Sequence, residues 1–130
     1  MRVQIAAHQE KKGFFTVTPY GDIDSDTHHS FREELNPVLE QSPKIILLDL
    51  SHVDAITSAG LGVLFSIKKQ MVAHHGELLF CNLKPQIIKL FEIVKTLPRE
   101  HVFTSIDEAD AYFARAMTEE IKRQNQRKKS

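Results

Sequence analysis

Tryptophan is absent from this 130-residue chain, cysteine occurs once, glycine and proline five times each, and the formal net charge is zero. Each scarcity excludes a class of protein. A lone thiol, Cys81, can build neither an internal disulfide framework nor a Cys-rich zinc module. The balance of 17 Lys and Arg against 17 Asp and Glu is unlike a highly basic nucleic-acid binder or an acidic tail protein, and 42% hydrophobic residues place the chain outside the disordered class. No apolar run approaches the roughly 18 residues of a membrane span. Met1–His8 mixes charged and apolar residues ahead of Glu10-Lys11-Lys12, which does not read as a signal peptide. The expectation is one soluble, cytoplasmic domain that buries about two-thirds of its unfolded surface.

Neutrality conceals an asymmetry. All five charged residues of 122–130 are basic, so residues 1–121 hold 12 Lys and Arg against 17 Asp and Glu. An acidic body with Asp22, Asp24 and Asp54 in its loops is suited to steering toward a basic partner surface. The 122–130 segment carries no apolar pattern and is expected to be a disordered tail, with residues 1–121 forming the domain.

Hydrophobic periodicity divides the body into elements. Val3, Ile5 and Ala7 alternate as in a half-buried strand, and Lys11-Lys12-Gly13 offers a turn into the aromatic and β-branched run Phe14–Thr18, predicting an antiparallel hairpin. Pro19 fits a sheet edge or a strand end. Phe31, Leu35, Val38 and Leu39 give a helix over Thr27–Gln41, which Pro37 should kink or weaken. Ile45–Leu50 is apolar almost without alternation, as a central strand covered on both faces would be. A second helix opens near Ser58 and is ended by His74-His75-Gly76. It leads to a strand at Leu78–Cys81, parallel to the central one because a crossover joins them. A third helix carries Ile87, Leu90, Phe91 and Val94, a short edge strand lies at His101–Thr104, and a capping box at Ser105 and Glu108 opens a last helix through Ile121. The fold class is α/β, a mixed sheet of four to five strands with an antiparallel N-terminal hairpin and about four helices. Right-handed crossovers place the first two helices on one face if the strands follow one another in sequence, an order the pattern leaves open.

The run Asp49-Leu50-Ser51-His52-Val53-Asp54-Ala55-Ile56-Thr57-Ser58-Ala59-Gly60-Leu61-Gly62 resembles the signature of the STAS domain, the family of bacterial anti-sigma factor antagonists. Gly21-Asp22-Ile23-Asp24 resembles the family's Gly-Glu-Leu-Asp after its second strand, and Asn82-Leu83 with Ile87–Phe91 resembles the segment after its fourth. The resemblance implies a regulatory binding module without enzymatic activity or cofactor. Unphosphorylated, it would bind an anti-sigma factor that is also a serine kinase of the histidine-kinase-like ATPase type, releasing a sigma factor or other target. The kinase would then inactivate it by phosphorylating Ser58, and a phosphatase would reverse the modification. The same resemblance implies that Asp22, Asp24, Thr57, Ser58, Ala59, Gly60, Leu61 and Gly62 face the partner. Thr57 stands where the family usually carries Asp, which makes it an alternative acceptor, and Ala59 stands where a second Ser or Thr is common. A constitutive scaffold or transporter-associated module, never phosphorylated, is the alternative function.

Other readings of these residues are plainer. From spacing alone Ser58 is a helix N-cap, and Asp22, Asp24 and Asp26 are cap and turn residues. Asp-Ile-Asp-Ser-Asp lacks the glycine and distal glutamate of a calcium loop. Adjacent histidines, as in His28-His29 and His74-His75, point about 100° apart on a helix and make no ready chelate, so no metal site is expected. Cys81 reads as a core residue. A small hydrolase built on the Asp- and His-rich loops is the remaining reading, and no acid–base pair at a recognised spacing supports it.

Overall fold

The computed structural model describes residues 1–94 and the strand residues 102–103. The elements run β1 (Arg2–Ala7), β2 (Phe14–Tyr20), α1 (His28–Leu39), β3 (Ile45–Asp49), α2 (Ser58–Ala73), β4 (Glu77–Cys81), α3 (Pro85–Val94) and β5 (Val102–Phe103). The helix expected to end at Ile121 and the basic 122–130 tail lie outside the described residues. So does the expected boundary between domain and tail.

β1 and β2 form the expected antiparallel hairpin, with Ile5 opposite Val17. Every later neighbour is parallel, and the spatial order is β1-β2-β3-β4-β5. β3 is therefore central, which accounts for its unbroken apolar run. Pro19 lies at the end of β2, beyond Val17, the last residue paired with β3. It is a strand end but not a sheet edge, because β2 has a neighbour on both sides.

With the strands in sequence order, successive right-handed crossovers lay their helices on one face. α1 and α2 do meet there: the Arg32 guanidinium donates to Ser66 Oγ at 3.1 Å and to Gln70 Oε1 at 2.6 Å. The main core fills the space between this helical layer and the sheet, with Phe31 and Leu35 of α1, Ile46 and Leu48 of β3, Leu64, Ile67 and Met71 of α2, and Phe80 of β4 all buried. Phe91 of α3 meets Phe80 edge to face at 5.2 Å between centroids. α1 runs through Pro37 to Leu39. The proline falls in the last turn, so only one helical hydrogen bond is forgone before the chain leaves the helix.

Residues alternating with this core along the strands form a second, smaller cluster of Phe14, Leu47, Leu79 and Cys81. Burial, aided by the nearby Asp49 carboxylate, pushes the Cys81 thiol up to about 12. At pH 8 the native protein should react with a thiol reagent at least ~100-fold more slowly than a free cysteine, and denaturant should restore the rate. Fast native labelling would contradict the burial. No helix among the described residues is long and apolar enough to cross a membrane.

Candidate functional site

Because β2, β3 and β4 are parallel, the segments that follow them emerge at the same end of the sheet. There the sequence brings together the segment after β2 (Gly21–Thr27), the segment after β3 (Leu50–Thr57) with the start of α2, and the segment after β4 (Asn82–Lys84). Their placement is governed by backbone pairing. The Gly21 N–H donates to His52 O at 3.1 Å, the Ile23 N–H to Ala55 O at 3.1 Å, and the Thr57 N–H to Ile23 O at 3.0 Å. Ile23 and Ile56 form an isolated parallel bridge, and both side chains are buried. The two loops thus extend the β2–β3 pairing past the end of the sheet.

Thr57 occupies the N-cap of α2 in an extended conformation, and its side chain makes no capping bond. Ser58 is the first residue of the helix itself, one position beyond the cap the spacing suggested. It is exposed, and among the described residues its hydroxyl makes no hydrogen bond. The Thr57 carbonyl accepts the Leu61 N–H at 2.8 Å. The amides of Ser58, Ala59 and Gly60 precede that first helical bond, and no acidic residue stands in the first turn. Among the described residues the positive end of this 16-residue helix is therefore open beside a hydroxyl that makes no hydrogen bond.

The two glycines of the motif differ. Gly60 is buried, and a Cβ there would lie 2.2 Å from Ile23 O. Gly62 is exposed and has nothing within 4 Å of the same position. Leu61 is half-buried and packs against the main core.

The acidic residues also separate. Asp22 is exposed, yet one carboxylate oxygen accepts the N–H groups of both Asp54, at 3.2 Å, and Ala55, at 3.0 Å. Asp24 turns into the start of α1, where Oδ1 accepts the Asp26 and Thr27 N–H groups at 2.9 and 3.0 Å. The Asp26 amide, with further help from Thr27, holds the Asp24 carboxyl below the usual carboxylate range. The Thr27 hydroxyl donates to Asp22 O at 2.6 Å, closing the turn.

Sequence reasoning missed Lys84 and Gln86. The Lys84 ammonium pairs with the Asp54 carboxylate, and the Gln86 amide donates to Asp54 O at 3.1 Å, so Lys84 and the start of α3 hold the loop after β3 from the side opposite Asp22. No spacing signal marks a contact across 30 residues. Asp49, at the end of β3, accepts from the Ser51 N–H at 3.0 Å and the Asn82 side chain at 3.2 Å, tying the roots of two of the three segments together. Tyr20 stacks on His52 with 4.5 Å between centroids, and Arg2 lies 4.6 Å from the Tyr20 ring centre.

Comparison with known proteins agrees with this fold. The family model for the STAS domain matches residues 6–109. BtrV of Bordetella bronchiseptica, named an anti-sigma factor antagonist, is 34% identical over 105 residues, covering 81% of this chain and 90% of that protein. Among solved structures, the anti-sigma factor antagonist SpoIIAA in its unphosphorylated form superimposes with a TM-score of 0.67 at 16% identity, over 88% of this chain and 98% of its own. A sulfate transporter family protein from Wolinella succinogenes gives 0.69 at 22% identity, over 84% and 90%. At these identities the two structures share the fold, and the fold alone, with this chain.

Proposed function

Since the chain belongs to the STAS domain family, we propose that it is an anti-sigma factor antagonist switched by phosphate on Ser58. Unphosphorylated, it binds in the cytoplasm to an anti-sigma factor that is a serine kinase of the histidine-kinase-like ATPase type, and the sigma factor or other target is released. Phosphorylation ends the interaction, and a phosphatase resets it. The observation that carries this reading is the exposed Ser58 hydroxyl, without a hydrogen bond among the described residues, at the N-terminus of α2. BtrV, at 34% identity, supports the antagonist class.

The geometry fits a modification that leaves the domain folded. A phosphate on Ser58 would meet unpaired first-turn amides and the positive end of the helix dipole, both favourable to an anion. Among the described residues nothing depends on the hydroxyl. The consequence falls on the partner surface, where close to two added negative charges bring repulsion and desolvation cost. Thr57 is the less suited acceptor, because its N–H and carbonyl are both engaged, to Ile23 and Leu61, which holds its backbone on two sides.

The test is to incubate the chain with its cognate kinase and ATP and to map phosphate by mass spectrometry. Phosphate on Ser58 is the expected result. Modification on neither Ser58 nor Thr57 would remove the switch and leave the second reading, a constitutive STAS scaffold or transporter-associated module. The likeness of fold to the Wolinella protein is compatible with that alternative.

A further inference from the structure

We infer that Asp22 is a positioning residue for the acceptor loop, acting through the backbone of Asp54 and Ala55. This inference rests on the reading of Ser58 as acceptor. The resemblance placed Asp22 on the partner-facing rim, where its charge would meet the partner directly. Its geometry assigns it other work. A single oxygen, Oδ1, bonds two consecutive amides 32 and 33 residues away, at 3.2 and 3.0 Å. Consecutive N–H groups converge on one acceptor only when the loop holds a particular turn, so the carboxylate selects one conformation of the segment leading into α2.

The surrounding bonds show why one conformation matters. Immediately before Asp22, Gly21 is tied to His52; immediately after, Ile23 is tied to Ala55 and Thr57. From the other side Lys84 and Gln86 hold Asp54. Among the described residues Asp54 is the one loop residue gripped from both directions, with its amide on Asp22, its carboxylate on Lys84 and its carbonyl on Gln86. Ser58 stands four residues further on, so a change in the turn at Asp54–Ala55 redirects the hydroxyl that a kinase must align for in-line attack. Asp22 thus contributes an oxygen acceptor whose position counts for more than its charge.

An acceptor that works by position is replaceable by a neutral one of the same shape. Asp22→Asn keeps an oxygen where Oδ1 stands, whereas Asp22→Ala removes it. Two measurements on the full chain distinguish the roles: native-state amide hydrogen exchange at Asp54 and Ala55, and phosphorylation by the cognate kinase with kcat and KM determined separately. In Asp22→Ala, exchange at both amides should rise at least ~10-fold and kcat should fall at least ~10-fold, with KM within a factor of about three. Asp22→Asn should stay within a factor of about three of wild type in every quantity. Equal loss of phosphorylation in both variants, carried by KM and with exchange unchanged, would overturn the inference and make Asp22 a charged partner contact. Unchanged exchange in Asp22→Ala would overturn it whatever the kinetics. Absence of phosphate on wild-type Ser58 would overturn the switch and the alignment role built on it. In that case the exchange pattern still shows whether Asp22 holds the loop, so the two failures are distinguishable.

Discussion

Ser58→Asp should weaken binding to the anti-sigma partner at least about tenfold while leaving the melting temperature equal to or slightly above that of wild type. Opposite directions are the point of this expectation. The Ser58 hydroxyl makes no bond among the described residues, so its removal costs the fold nothing. A carboxylate in the first turn of α2 faces open amides and a helix end with no acidic residue of its own, an arrangement worth about 0.3–1 kcal/mol in favour of the folded state. For a domain of this size that is an upward shift of a few degrees at most. At the partner surface the same charge must be desolvated against groups that accommodated a neutral serine, and about 1.4 kcal/mol of penalty already lowers affinity tenfold. Titration of the variant against the partner, beside a thermal melt, reads both effects. A large fall in melting temperature would make Ser58 a structural residue, and unchanged affinity would remove it from the interface.

Gly60→Ala should destabilise the protein by about 2–3 kcal/mol, a fall in melting temperature on the order of 10 °C. The added methyl would stand 2.2 Å from Ile23 O and 2.9 Å from Ile23 C. These are backbone atoms and cannot swing aside as a side-chain terminus would. Either α2 moves away or the 21–24 segment does, and the Ile23 carbonyl that must shift is the acceptor of the Thr57 N–H. Helix propensity returns up to ~1 kcal/mol on replacing glycine by alanine, which offsets only part of an overpacking cost of this kind. Gly62→Ala is the control. With nothing within 4 Å it should keep the propensity gain and melt at or above the wild-type temperature. Melts of the two variants should therefore move in opposite directions, and a stable Gly60→Ala protein would show that α2 is not seated on Ile23 as described.

These two glycines show how far the sequence could be read. Both belong to one motif, and the resemblance placed both on the partner face. Their difference lies in what stands opposite them, Ile23 for one and solvent for the other. Asp22 and Asp24 teach the same lesson. As sequence they are equivalent acids in a turn-rich run, and from spacing alone both read as cap or turn residues. Asp24 does close the turn into α1, through amides two and three residues away, which lies within reach of local reasoning. Asp22 bonds amides 32 and 33 residues away, which does not. Lys84 and Gln86 were missed for that same reason.

By itself the sequence determined the strands and helices described here, the antiparallel β1–β2 hairpin, the parallel joining of β3 to β4, and the stretch around Ser58 that carries the family's signature. The elements and the hairpin follow from periodicity, turn chemistry and short-range sterics within neighbouring stretches of chain, and the parallel joining follows from the helix that must cross between the two strands. The tertiary structure alone decided the order β1-β2-β3-β4-β5, which places α1 and α2 on one face. It alone showed that the segments after β2 and β4 clasp the loop after β3 between them and that Gly60 is required by Ile23. Such contacts join residues 30 or more positions apart. They exist only once the parallel strands have delivered three separate loops to one end of the sheet, and no local pattern encodes that meeting.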